Sequence, residues 1–138
     1  MSGPDRTQTT LQALLSDQTK PVLVIDDHAL TRELLASILR KFGFEVDLAA
    51  DGTEALFKLE ERRYALVISD LNMEPIDGLQ IVHSVRKQEE YRQTPFLLMT
   101  ASMATEKVLA AKRAGVDTYI LKPFTPQALM AKIQAALG

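Results

Sequence analysis

The stretch LVISDLNMEPIDG, residues 66–78, decides how the chain reads. Leu66, Val67 and Ile68, followed by the small Ser69, form a short continuous apolar run, the pattern of a strand buried on both faces. The run ends directly on Asp70. A turn follows, carrying Glu74, Pro75, Asp77 and Gly78. A strand of this kind holds a carboxylate rigidly at one edge of a sheet and then reverses beside it.

The same unit recurs on both sides. PVLVID (21–26) is another buried strand, and Leu30, Leu34, Ile38 and Phe42 follow at helical spacing with Gly43 as a stop. FEVDLA (44–49) is more polar and suits a sheet edge. Asp51 and Glu54 then open a helix carrying Ala55, Leu56 and Leu59, as N-cap and capping-box partner. Leu79, Val82 and Val85 mark a helix after Gly78. PFLLMTA (95–101) is a strand, Val108 and Leu109 lie in a helix that Gly115 ends, and DTYILK (117–122) is the last strand. Thr125 and Pro126 cap a final helix bearing Leu129, Ile133 and Leu137. Five alternating β and α units predict an α/β fold: a parallel sheet with helices on both faces and right-handed crossovers. The 138 residues suit one domain, assigned to residues 20–138, with residues 1–19 as a polar arm or short helix (Leu11, Leu14 and Leu15 on one side).

Composition narrows the function. Sixteen basic and eighteen acidic side chains give a net charge of −2, which argues against nucleic-acid or anionic-membrane binding. There are no cysteines, so disulfides and thiolate metal sites are excluded. No apolar run approaches the ~20 residues of a membrane helix and no signal pattern opens the chain, so a cytoplasmic protein is expected.

In an open α/β sheet, ligands bind beyond the carboxyl ends of the strands. Those ends carry Asp26-Asp27 on the first strand, Asp70 on the third, Thr100-Ala101 on the fourth and Lys122-Pro123 on the fifth. Each has a bland reading alone: a helix cap, a turn, a β-former, a solvated charge. Together they are a site. Three clustered carboxylates repel one another unless a cation is present, and Mg2+ accepts carboxylates and waters. Mg2+, a lysine and a hydroxyl suit a phosphoryl group, with one carboxylate as nucleophile.

Asp26-Asp27, SDLNM around Asp70, MTA ending at Thr100-Ala101 and AGVDTYILKPF (114–124) together resemble the receiver domain of two-component response regulators, over about residues 20–138. The resemblance implies the strand order 2-1-3-4-5. It implies Asp70 as phosphoacceptor, Mg2+ held by Asp26, Asp27, Asp70 and the Asn72 main-chain carbonyl, and phosphate contacts from Thr100, Ala101 and Lys122. It implies Thr100 and Tyr119 as a coupled switch, and a cis bond before Pro123. It implies a sensor histidine kinase as donor. Signalling would follow through the surface of the fourth helix, fifth strand and fifth helix, by contact with a downstream protein or by relay to a histidine phosphotransfer protein. Relatives of this kind often pair through that same surface, which makes a homodimer one expectation. Because the chain ends at Gly138, it is expected to act as a single-domain regulator with no DNA-binding output, and to catalyse only its own phosphorylation and dephosphorylation. One departure stands out: the family usually has proline four residues after the acceptor, where this chain has Glu74, then Pro75. Glu74 and Ser102 are therefore candidates for tuning ion affinity or phosphoryl lifetime.

Competing classes fit less well. An aspartate phosphatase of the haloacid-dehalogenase type needs Asp-x-Asp after the first strand, and here the acids are adjacent. A flavodoxin-like redox protein needs a hydroxyl-rich phosphate loop where this chain has DDHAL. A pseudo-receiver that only binds partners is the remaining alternative, and the intact acid set with Thr100 and Lys122 speaks against it. His28 and His83 read as structural or solvated, and the methionines as gap fillers.

Overall fold

The computed structural model describes residues 21–103 and 106–138; the expected N-terminal arm lies outside them. The strands are β1 (Val22–Ile25), β2 (Val46–Ala49), β3 (Leu66–Asp70), β4 (Phe96–Thr100) and β5 (Thr118–Leu121). The helices are α1 (Ala29–Lys41), α2 (Gly52–Glu61), α3 (Gly78–Lys87), α4 (Glu106–Ala114) and α5 (Pro126–Leu137), with a 3-10 turn at Glu89–Tyr91. All pairings are parallel, in the order β2-β1-β3-β4-β5. The more polar β2 sits at an edge, as its composition predicts. None of the described helices is long and apolar enough to cross a membrane.

Period-2 alternation divides the core into two layers. Val22, Val24, Leu66, Ile68, Leu97 and Met99 face α1 and α5, packing on Leu35, Leu39, Leu129 and Ile133. Leu23, Ile25, Val67, Phe96 and Leu98 face α2, α3 and α4, packing on Leu59, Ile81, Val85 and Val108. Phe96 is fully buried at the centre of the second layer.

The helix ends follow the local sequence chemistry. Asp51 caps α2 by accepting from the Glu54 N–H at 2.8 Å, and the Glu54 carboxylate accepts from the Ala50 N–H. Asp77 and Gln80 form a reciprocal capping box on α3. The Thr125 hydroxyl accepts from the Ala128 N–H, with Pro126 opening α5. Gly43 and Gly115, at φ +92° and +108°, end α1 and α4.

The buried face of α1 differs from the expected one. Leu30 and Leu34 are exposed, and Leu35, Ala36, Ile38 and Leu39 are buried. Each four-residue step turns a helix about 40° past a full circle, so Leu30 lies about 80° away from Ile38. Likewise, α4 buries Val108 with Ala111 and exposes Leu109.

Candidate functional site

The sheet's order reverses between β1 and β3, and that switch point is where the acids gather. Ile25 pairs with Ser69, so Asp26, the next residue, lies beside Asp70. Asp26 continues the parity of Val22 and Val24, and Asp70 that of Leu66 and Ile68. Both carboxylates therefore leave the sheet on the same side. Asp26 is fully buried and Asp70 nearly so. Lys122 follows β5, where its N–H bonds to the Thr100 carbonyl at 2.8 Å. Its Nζ bridges the pair, 3.0 Å from Asp26 Oδ2 and 3.4 Å from Asp70 Oδ1.

Asp27 stands at the rim, half-exposed. One ligand atom from each of Asp26, Asp27, His28 and Asp70 falls within 4.8 Å of the others. The buried and rim carboxylates outnumber the single Lys122 amine, so a divalent cation held by oxygen donors matches this charge and donor set. Burial pushes the Asp70 carboxyl up from its ordinary value, as does the Asp26 charge, against the opposing pull of Lys122 and the Asn72 N–H.

The turn after Asp70 is closely fitted. The Leu71 N–H bonds to the Met99 carbonyl at 2.8 Å, and the Gly78 N–H to the Leu71 carbonyl at 3.0 Å. A Cβ on Gly78 would lie 2.5 Å from the Asp70 carbonyl oxygen, so only glycine lets α3 start against the Asp70 backbone. The Glu74-Pro75 bond is cis, as is Lys122-Pro123. The resemblance implied only the second. Glu74 is exposed and shares a shallow open pocket with Asp27, Asn72, Met73 and Lys107.

The remaining expected residues divide. Thr100 is buried, and its hydroxyl donates to the Ser102 carbonyl at 2.9 Å and accepts from the Ser102 N–H at 3.3 Å. It is thus tied to its own loop. Ala101 and Ser102 are exposed beside it. Tyr119 is half-buried on β5, packed against the α2–α4 layer. Three contributors escaped the sequence. Arg32 Nη1 donates to the Asp26 carbonyl at 2.7 Å. Lys107 pairs with Asp77 at 3.0 Å. His28 Nδ1 lies 3.0 Å from Asp27 Oδ1. His28 is exposed, as a solvated residue would be, yet it belongs to the acid cluster.

Paired buried acids and an amine at the switch point of a doubly wound sheet are the arrangement of a phosphoacceptor signalling domain. The response regulator receiver domain family matches residues 22–134, and the chain belongs to that family. It is 37% identical over 119 residues to the chemotaxis protein CheY1 of Helicobacter pylori, covering 85% of this chain and 96% of that one. Among solved structures, CheY4 of Vibrio cholerae aligns with a TM-score of 0.81 at 37% identity, covering 85% of this chain and 98% of that one. The receiver domain of a sensor histidine kinase from Pseudomonas aeruginosa, solved with a magnesium ion coordinated in its active site cleft, aligns at 0.79 and 28% identity, covering 86% and 98%. The protein is accordingly a receiver, and accepting a phosphoryl group on an aspartate is its role.

Proposed function

We propose that Asp70 is the aspartate that accepts the phosphoryl group, and that the donor is a phosphohistidine on a sensor histidine kinase. The observation that carries this is the Lys122 bridge between buried Asp26 and Asp70. Of the two, Asp70 keeps slight exposure, whereas Asp26 keeps none and is held by Lys122, the His28 N–H and, at its carbonyl, Arg32. An Asp70 carboxylate oxygen attacks phosphorus, and the phosphorus–nitrogen bond to the imidazole breaks. The electron pair returns to that nitrogen, and an acyl phosphate forms. The Lys122 ammonium neutralises a phosphoryl oxygen as charge shifts. Asp26, Asp27, Asp70 and the Asn72 carbonyl are the residues that would hold Mg2+, whose charge offsets that of the carboxylates and the incoming phosphoryl group.

After transfer, the Thr100 hydroxyl leaves Ser102 for a phosphoryl oxygen, to which the Ala101 N–H also donates. Tyr119 then repacks on β5. The change is read on the surface of α4, β5 and α5, where Leu109 and Leu121 are exposed and suit a downstream protein, a histidine phosphotransfer protein or a second copy. Glu74 and Ser102, at the rim, tune ion affinity and phosphoryl lifetime. An unchanged Mg2+ affinity and dephosphorylation rate in Glu74→Gln and Ser102→Ala would remove that role. The primary test is intact mass after incubation with Mg2+ and acetyl phosphate. One phosphoryl adduct is expected, absent in Asp70→Asn; an adduct that persists in the variant, or none in the wild type, would refute the assignment.

A further inference from the structure

We infer that His28 is a further ligand of the acidic pocket, giving it a nitrogen donor for first-row transition cations such as Zn2+ beside the oxygen donors that suit Mg2+. This rests on the pocket reading above.

His28 occupies the N-cap of α1 but makes no side-chain cap hydrogen bond. That position normally selects Ser, Thr, Asp or Asn, whose oxygen closes the first turn. An imidazole serves that purpose poorly, and here it lies back over the two preceding residues. Nδ1 is 3.0 Å from Asp27 Oδ1 and 3.4 Å from Asp26 Oδ1. The turn that puts it there is fixed from both sides. The His28 N–H donates to Asp26 Oδ1 at 2.8 Å, and Arg32 holds the Asp26 carbonyl at 2.7 Å.

The spacing matches shared coordination. A cation with ligands at about 2.1 Å holds neighbouring ligand atoms about 3.0 Å apart and opposite ones about 4.2 Å apart. The two Nδ1 contacts, also within ion-pair range, are of the neighbouring kind, while the four donor atoms together, spread over as much as 4.8 Å, must draw in by about 0.6 Å to share one ion. Lys122 does not compete for the same Asp26 atom: the amine takes Oδ2, while His28 stands at Oδ1. The carboxylates serve hard and borderline ions alike, whereas imidazole favours zinc, nickel and copper over magnesium. The ring therefore adds affinity for the second class and leaves Mg2+ binding to the oxygens.

The test uses the untagged full chain at one fixed pH near neutrality. Zn2+ and Mg2+ are titrated calorimetrically into the wild type, His28→Ala and Asp27→Asn, and the ring nitrogen resonances are followed by NMR in the wild type. His28 is exposed and caps nothing, so its substitution leaves the fold intact, which circular dichroism verifies. His28→Ala is expected to weaken Zn2+ binding at least about tenfold and leave Mg2+ affinity within about twofold, with the His28 Nδ1 resonance shifting much further on Zn2+, which it would ligate, than on Mg2+, which reaches it only through the neighbouring carboxylates. Asp27→Asn weakens both ions. Equal Zn2+ affinities in wild type and His28→Ala, or Zn2+ shifts confined to His83, overturn the inference while Mg2+ binding keeps the pocket reading intact. No binding of either ion to the wild type removes both.

Discussion

Gly78→Ala tests how tightly the turn after Asp70 is built. The new Cβ would stand 2.5 Å from the Asp70 carbonyl oxygen, 2.9 Å from Leu98 Cδ1 and 3.1 Å from Leu71 Cα. Relaxed contacts to a carbon lie near 3.5 Å or beyond, so the overlap with the oxygen is about 1 Å. The Leu98 methyl can rotate away, but the Asp70 carbonyl cannot. It belongs to β3, between β1 and β4, and accepts from Ser69 Oγ at 2.9 Å. The first turn of α3 must therefore move, and it is pinned by the Asp77–Gln80 capping box and the Gly78–Leu71 hydrogen bond.

Forcing a methyl into packed structure costs about 1–3 kcal/mol. The helix preference of alanine over glycine returns at most about 1 kcal/mol, and less at a first-turn position. The expected net loss is about 1–2 kcal/mol, with the urea midpoint falling at unchanged slope. Because the turn that moves abuts the backbone of Asp70, the proposed acceptor, and carries the loop beside it, phosphorylation by acetyl phosphate should slow by more than the lost stability explains; misplacement of about 1 Å can cost on the order of a hundredfold. A variant within about 0.5 kcal/mol of wild type, phosphorylated at the wild-type rate, would refute this account of the turn.

Asp70→Asn should stabilise the metal-free protein near neutral pH. In the folded state the Asp70 carboxyl holds its proton to higher pH than in the unfolded chain, chiefly through burial. Between those two values the native state binds more protons, so wild-type stability falls as pH rises through that window, and the cost stays in full above it. Unfolding curves in chelator should show the advantage of Asp70→Asn shrinking as pH drops toward the ordinary carboxylate range, and a pH-independent difference would contradict it. Arg86→Met should destabilise by about 2–4 kcal/mol. Arg86 donates to the carbonyls of Tyr91 and Thr94, each at 2.7 Å, and of Gly115 at 2.8 Å, tying α3 to the segments before β4 and β5. Its partner Asp117 is partly exposed, so little of the loss is ionic. Thermal unfolding at low and high salt should show nearly the same deficit; one that vanishes in salt would sink the carbonyl account.

Four of the five strands were legible because each is a short, largely apolar run closed by a polar residue, while the more polar β2 was read from its place between two helices. Asp26, Asp70, Thr100 and Lys122 were legible for a related reason: in a parallel sheet all carboxyl ends share one edge, so residues far apart in sequence must converge. Contacts that depend on a helix's rotation were not. Leu30 and Leu34 read as core because four-residue spacing was followed without its drift. Arg86 was not singled out at all, and nothing in the sequence announces that three carbonyls from two other segments meet it. His28 was discounted for lack of a second histidine or a cysteine, yet carboxylates on two strands bring its partners.

The stretch that sets the fold also makes the site unable to relax by itself. β3 is buried on both faces, and α3 closes against its last carbonyl at Gly78, so the backbone that carries Asp70 is held in place beside the Asp26 charge. One amine, Lys122, answers two buried carboxylates. The remaining repulsion can be relieved by a proton on Asp70 or by a cation among the carboxylates, whereas a phosphoryl group at the site would add negative charge and raise the demand for that cation. These routes act on the same charge and must be coupled rather than additive. A rigid carboxylate pair held in that condition would bind a proton or a cation more tightly than a relaxed one, because either arrival removes a cost that the folded chain otherwise bears alone.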